Sequence, residues 1–446
     1  MEALKRRFSR TEKDSNSVSV INLGCPKNLV TAENLSGYFK ENGYSLHNLF
    51  TTFSPVDVAV VNTCSFIRSA RREALQTIKR VLEYKNKGMC KYVIVTGCYT
   101  QRFLSDLNKK VPGVDFICSN SSVNEISNFL GLPEENKSNI NRIPSTNSYA
   151  YLKIADGCDR NCSFCLIPSI KGSYQSRPVS TIFKEAEMLS YKFNIKELIL
   201  VAQDTGSYGE DLSNRIGLIA LVGELAKIRN LKWIRIMYLY PTVNKEFLKE
   251  LLSIDKVVSY LDIPLQHSSP EILKSMNRPT DVSRFTEDLV KLRDEFKNLT
   301  IRSTFIVGFP GENDSIFQEL LDFLDRYKFD RAGFFAFSRE KFTKAYSLPD
   351  QISSATKEER LKTVYEVQSR ISSGIRKKFI GKLMDAIIEG FDENGGYAFG
   401  RTERDAPEID EGVIIRGDNE YLMNMIGEIV KIKVVDAIDY NLIGEV

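Results

Sequence analysis

Between residues 17 and 132 the apolar positions fall into short unbroken runs separated by longer amphipathic stretches. Residues 18–23, 56–61, 92–96 and 114–118 have the length and branched content of strands buried on both faces. Residues 28–40 and 71–84 carry apolar side chains at helical spacing. Strand followed by helix, repeated, predicts a parallel α/β sheet domain with helices on both faces.

Residues 133–148, PEENKSNINRIPSTNS, are polar and punctuated by Pro and Asn, the composition of a linker. From 149 the rhythm restarts. Six strands are expected at 151–155, 197–202, 233–239, 259–263, 300–307 and 331–337, with helices between them, for example at 181–193 and 282–296. Such a series predicts a partial TIM-like (β/α)6 barrel over 149–376. Its last helix is expected to begin at Thr356, where Thr356 and Glu359 form a capping-box pattern. Beyond it the texture changes. The β-rich runs 384–389, 412–415 and 426–435, split by Gly- and Asp-rich turns, predict a small antiparallel β-barrel over 377–446.

Composition narrows the functional classes. With 61 Lys and Arg against 58 Asp and Glu, the 446-residue chain has a net charge of only +3, so any hold on nucleic acid would need a local patch. Residues 377–446 hold eight basic and fifteen acidic residues, net −7. That module would repel a phosphate backbone and attract a basic protein, with Glu408, Asp410 and Glu411 facing it; a merely solvated acidic face is the plainer reading. The first sixteen residues hold no apolar run, and no later stretch reaches membrane-spanning length. A reducing cytoplasmic setting follows, in which cysteines bind metal or do chemistry. Histidine is limited to His47 and His267, which disfavours a histidine triad or an imidazole-rich zinc site. His267 reads as structural.

The sharpest feature is IADGCDRNCSFCLIP, directly after the first expected barrel strand. Cys158, Cys162 and Cys165 can hold three irons of a 4Fe–4S cluster, leaving the fourth open. The amino and carboxylate groups of S-adenosylmethionine can chelate that iron, and an electron from the cluster can then cleave the sulfonium to a 5′-deoxyadenosyl radical. A zinc loop is the alternative, although zinc patterns pair C-x2-C motifs or add His. Phe164, and Gln203 and Asp204 after the second strand, are candidate cofactor contacts, as are Arg302 and Thr304 in the fifth strand. Those four polar residues could equally form a satisfied network inside the barrel. The turn Gly308–Glu312 could pass near the cofactor or simply link strand to helix. No residue is singled out as the catalytic acid or base.

Cys25, Cys64 and Cys98 each follow an expected strand of the first domain. In an open parallel sheet those strand ends share one edge, where ligands bind. The three can hold a second cluster with an open iron, or they are unrelated buried thiols. Cys90, expected before its strand, and Cys118, expected within one, read as structural.

With these residues in view the chain resembles the radical methylthiotransferase family. The likeness rests on LGCPKN, VNTCSFI and VTGC, on GCDRNCSFCLIPSIKGSYQSRP and IVGFPGE, and on a tail that resembles the TRAM module. It implies an auxiliary 4Fe–4S cluster on Cys25, Cys64 and Cys98, and a radical 4Fe–4S cluster on Cys158, Cys162 and Cys165. It also implies insertion of a methylthio group into an unactivated C–H bond. LGCPKNLVTAEN and RDAPEID resemble the branch that modifies the β-carbon of an aspartate in the small-subunit ribosomal protein numbered twelve. The other branch modifies a tRNA adenosine; a non-enzymatic iron–sulfur carrier is a further alternative. Glu340–Ala345, EKFTKA, departs from the EEGTPA more often seen in the family. The implied chemistry calls for an electron donor such as flavodoxin or ferredoxin, a sulfur donor, and no membrane.

Overall fold

The structure is a computed structural model of the chain and describes residues 16–52, 54–118, 122–136, 140–438 and 441–446. Most of the opening segment, to which the export-signal expectation refers, lies outside these residues. Two compact units emerge: residues 1–145 with 166–172, and residues 146–165 with 173–446.

The first unit is built on β1 (Ser17–Asn22), β2 (Ser45–Leu46), β3 (Val56–Thr63), β4 (Cys90–Gly97) and β5 (Phe116–Ile117). They form a parallel sheet in the order β2-β1-β3-β4-β5. Successive residues point to opposite faces, so one sequence supplies two cores. Ala59, Val61, Val93 and Val95 pack under Ala74, Ile78 and Val81 of the helix Arg68–Asn86. Val58, Val60 and Ile94 pack with Leu35 and Phe39 of the helix Pro26–Glu41 on the other face. Cys90 begins its strand and does not precede it; Cys118 lies just past β5 and not within it. Part of the expected linker is anchored. Arg142, whose side chain is fully buried, pairs with Glu33 at 2.5 Å, and Ser145 donates to the same carboxylate. A fully desolvated guanidinium needs that partner, so residues 140–145 stay with the first unit.

In the second unit β6 (Tyr149–Lys153) runs into the short hairpin of β7 (Ala155–Asp156) and β8 (Gln175–Ser176). β9 (Glu197–Val201), β10 (Trp233–Ile236), β11 (Tyr260–Asp262), β12 (Thr300–Val307) and β13 (Arg331–Ala336) follow. Two parallel three-stranded sheets, β10-β9-β6 and β11-β12-β13, are joined by a parallel bridge between Ile234 and Val257. Leu198, Leu200, Ile234, Leu261, Ile301 and Phe305 share one core with the surrounding helices. The last helix, Ser354–Arg376, is capped by Ser353, whose hydroxyl accepts from the Thr356 N–H at 3.1 Å; the start expected at Thr356 is thus two residues late.

β14 (Leu383–Asp392), β15 (Tyr397–Thr402), β16 (Val413–Arg416), β17 (Ile429–Ile438) and β18 (Asn441–Glu445) close into a five-stranded barrel. It is not wholly antiparallel, because β16 and β18 pair in parallel. This barrel belongs to the same compact unit as the (β/α)6 core, and the reason is ionic. Glu197, the first residue of β9, is completely buried and accepts from Arg235 and Arg401 at 2.7 Å each. Arg404 pairs with Asp330 at 2.7 Å, and Arg331 pairs with Asp405. Asp410 accepts the Tyr260 hydroxyl and stands 3.7 Å from Arg302. Tyr149 donates to Glu408 at 3.1 Å. Glu197, Tyr149, Tyr260 and Arg331 each open a strand. The loop after β15 therefore plugs the amino-terminal end of the six-stranded core. This corrects the expectation for one residue of the acidic tail: the Asp410 side chain is 3% exposed and is no docking face, whereas Glu408, hydrogen-bonded by Tyr149, is exposed and the Glu411 side chain is 36% exposed.

Candidate cofactor site

Cys158 lies two residues past β7, at the carboxyl end opposite the plug. Gly157 before it adopts φ +75°, a conformation that costs Gly little, and this turns the chain into the cysteine loop. The Arg160 N–H donates to the Cys158 sulfur at 3.4 Å, a contact that favours thiolate, while burial pushes the Cys158 thiol up. The loop is clamped from outside. Ser163 donates to the Met276 carbonyl at 2.9 Å, Asn277 to the Asn161 carbonyl at 3.0 Å, and Ala345 to the Ser163 carbonyl at 2.8 Å.

A cavity of about 270 Å³ opens beside Cys158, lined by Arg160, Tyr174, Asp204, Ser207, Glu210 and Asp211 among others. Asp204 is 2% exposed and accepts from Arg160 at 2.9 Å and from Ser207 at 3.1 Å. Gln203 donates to Asp156 at 3.3 Å, while its buried carbonyl oxygen has no partner among the described residues. An unsatisfied buried acceptor beside the cysteine loop suits a ligand donor, such as a ribose hydroxyl or an amine. Phe164 is partly buried and packs against the apolar cluster that includes Ile272, Phe309 and Phe337.

Arg302 and Thr304 have a different setting. Arg302 is held by Asp262 at 2.8 Å, donates to Thr304 at 3.4 Å, and lines a separate cavity of about 180 Å³ with Arg331 and Asp410. Of the two readings open for this pair, the internal polar network is the one found here. His267 is fully buried between the Ser269 N–H and Glu312. Glu312 also accepts from Gly308 and from Arg360, so the Gly308–Glu312 turn is tied down by its own carboxylate. Sequence reasoning passed over Arg160, within the cysteine loop, and Tyr240 and Arg278, which flank it; only the places of the latter two after a strand and between helices could have marked them.

In the first unit Cys25 precedes the helix Pro26–Glu41, Cys64 follows β3 and Cys98 follows β4. The register pairs Asn22 with Asn62 and Thr63 with Gly97, so all three loops leave the sheet at one level. Gly24 and Gly97 have φ +104° and +98°. A Cβ on Gly24 would lie 2.7 Å from the Cys64 Cβ, and one on Gly97 2.5 Å from the Thr63 carbonyl. These glycines let the thiol-bearing loops converge. Asn28 holds the edge, donating to the Leu23 and Thr63 carbonyls at 3.1 and 3.2 Å, and its side-chain carbonyl accepts from the Cys98 thiol at 3.7 Å. Burial pushes the Cys64 thiol up to about 11, and Cys25 and Cys98 are near enough to add to that electrostatically. By contrast the Cys90 thiol is spent on the Tyr92 carbonyl at the far end of β4, and Cys118 bonds the Ser122 carbonyl.

Among the described residues no three Cys, His, Asp or Glu side chains close around a single ion. A 4Fe–4S cluster sets a different requirement, since each thiolate takes its own iron at a separate corner. Three cysteine-bearing loops at one sheet edge, and three thiols within eight residues, are the kinds of donor set that suit it. No helix of the described residues is long and apolar enough to cross a membrane.

Three families match: the radical SAM superfamily over residues 152–324, the uncharacterized protein family UPF0004 over 17–119, and the TRAM domain over 380–446. Among curated proteins, the ribosomal protein uS12 methylthiotransferase RimO of Alkaliphilus oremlandii is 41% identical over 439 residues, 96% of this chain and 98% of that one. Its namesakes from Acetivibrio thermocellus and Clostridioides difficile are each 40% identical, with the same coverage. Among solved structures, the radical S-adenosylmethionine methyltransferase TsrM from Kitasatospora setae, with cobalamin and a [4Fe-4S] cluster bound, superposes with a TM-score of 0.52. It covers 84% of this chain and 82% of its own at 14% identity, a likeness of fold alone.

Proposed function

The chain belongs to the ribosomal protein uS12 methylthiotransferase family, a group of radical S-adenosylmethionine iron–sulfur enzymes, and from that premise we propose that it carries two 4Fe–4S clusters and methylthiolates the β-carbon of an aspartate in uS12. The observation that carries the reading is the cysteine loop 158–165 beside a polar cavity at the carboxyl end of the (β/α)6 strands, the end where barrel enzymes place their sites. When bound, the clusters and S-adenosylmethionine supply the electron, the hydrogen-abstracting radical, and the sulfur and methyl that are inserted.

The chain's own residues hold and orient. Cys158, Cys162 and Cys165 ligate the radical cluster. The Gln203 carbonyl, without a partner among the described residues, would accept a hydrogen bond from the cofactor, and Asp204 fixes Arg160 at the cavity wall. Phe164 anchors the loop on the apolar cluster around Phe309 and Phe337. Cys25, Cys64 and Cys98 ligate the auxiliary cluster at the edge of the parallel sheet, with Asn28 supporting both Cys98 and the loop after β3. We assign residues 17–132 to the auxiliary domain, 149–376 to the radical core and 377–446 to the TRAM-like barrel. The reaction takes place in the cytoplasm, with a small electron-carrier protein such as flavodoxin or ferredoxin as electron donor and a separate sulfur source.

Mass spectrometry of ribosomal proteins and tRNA from cells lacking the protein tests this. A uS12 aspartate that loses its methylthio group, regained on complementation, is expected. Intact uS12 with unmodified tRNA adenosine would overturn the substrate assignment.

A further inference from the structure

Arg160, Tyr240 and Arg278 form a stack against the cysteine loop. The Tyr240 ring lies between the two guanidiniums, at 4.3 Å from Arg160 and 4.1 Å from Arg278. Burial pushes the Tyr240 hydroxyl up to about 12, and the nearby Cys162 sulfur adds to that. The Arg278 guanidinium donates to the same sulfur at 3.8 Å and to the Pro264 carbonyl. Its Nε is buried without a partner among the described residues.

The two arginines differ in charge balance. Arg160 is neutralised by Asp204 at 2.9 Å. None of the described ion pairs includes Arg278, so its full charge faces Cys162. A cation held on an aromatic face, partly out of water, acts more strongly than one in solvent. Hydrogen bonds and positive charge at a ligand sulfur favour the state that has gained an electron.

We infer that Arg278, held in place by Tyr240, raises the reduction potential of the cluster on Cys158, Cys162 and Cys165 by stabilising its reduced form at the Cys162 sulfur. Arg278 touches a ligand atom and not the substrate; it is a tuning residue. The inference rests on the cluster assignment proposed above.

The test is an anaerobic redox titration followed by electron paramagnetic resonance, with Cys25, Cys64 and Cys98 replaced by Ala so that one cluster is read. In Arg278→Gln the oxidised-to-reduced ratio at a fixed potential should rise about tenfold, a shift of ~59 mV to more negative values for a one-electron couple. Arg278→Lys, which keeps the charge, should recover most of it. Tyr240→Leu, which removes the stack but leaves Arg278, should shift in the same direction as Arg278→Gln, and Tyr240→Phe less. A loaded Arg278→Gln cluster with an unchanged potential overturns the inference. Should Arg278→Gln fail to load, the Tyr240→Leu titration decides, and an unchanged potential there has the same meaning. If the parent protein itself binds no redox-active cluster at Cys158, the cluster assignment fails instead.

Discussion

Replacing Glu197 with Ala should loosen the second unit at the plug. The Glu197 carboxylate is fully buried and shared by Arg235 and Arg401, whose side chains are 0% and 3% exposed. Removing it leaves the Arg235 guanidinium desolvated and without its counter-charge, while Arg401 keeps Glu389 at 2.8 Å. Breaking a buried pair from one side costs about 3–5 kcal/mol, chiefly the burial of the orphaned charge. The reporter is built in: Trp233 is the chain's one tryptophan, is 8% exposed, and sits opposite Glu197 in the β9–β10 register. With a urea slope of about 3 kcal/mol/M, the Trp233 fluorescence midpoint should fall by roughly 1–1.7 M. Glu197→Gln keeps the volume and one acceptor, and should cost less. The pH dependence has a definite sign. Burial raises the Glu197 pKa, but the two guanidiniums outweigh it and hold the net value below 4.5. Its stabilisation is then present above about pH 4.5 and is lost as pH falls through the folded-state value, so the gap between parent and Glu197→Gln should close in acid. A midpoint shift below about 0.3 M for Glu197→Ala would refute the idea that this carboxylate binds plug to core.

With two clusters, replacing Cys158, Cys162 and Cys165 by Ala should leave about half the iron of the reconstituted parent, read by iron assay and Mössbauer spectroscopy; loss of all iron, or none, contradicts two independent sites. Cys64→Ala should abolish methylthiolation while reductive cleavage of S-adenosylmethionine continues, measured as 5′-deoxyadenosine. Gly97→Ala forces a side chain into φ +98° and a Cβ to 2.5 Å from a backbone carbonyl; it should cost more than ~1 kcal/mol and reduce auxiliary-site iron, whereas normal iron and stability would show that the loops can shift. Asp410→Ala should lower the thermal midpoint of the second unit and leave the salt dependence of uS12 binding unchanged, because Asp410 faces Arg302, Arg331 and Tyr260 and not solvent.

The succession of parallel strands, the six-unit core and the radical cysteine loop were legible in the sequence because each depends on local information: apolar run length, βα alternation, and three thiols within eight residues. The gathering of Cys25, Cys64 and Cys98 was legible at one remove, since parallel strands share an edge wherever their helices pack. Composition misled where it counted charges without their partners. The acidic tail reads as a docking face in sequence, yet Asp410 and Asp405 are buried counter-ions of Arg302 and Arg331. Arg302 reads as a cofactor contact because it lies in a barrel strand, but residues two apart on one face occupy different depths, and its depth is at the plug. Arg278 meets Cys162 across 116 positions of sequence, and no periodicity encodes that encounter. Local pattern determined the elements and the spacing of the cysteines. Which charges neutralise one another, and which cation is left facing the Cys162 sulfur, was decided only when the loops packed, because those energies depend on distance and desolvation that a linear order does not hold.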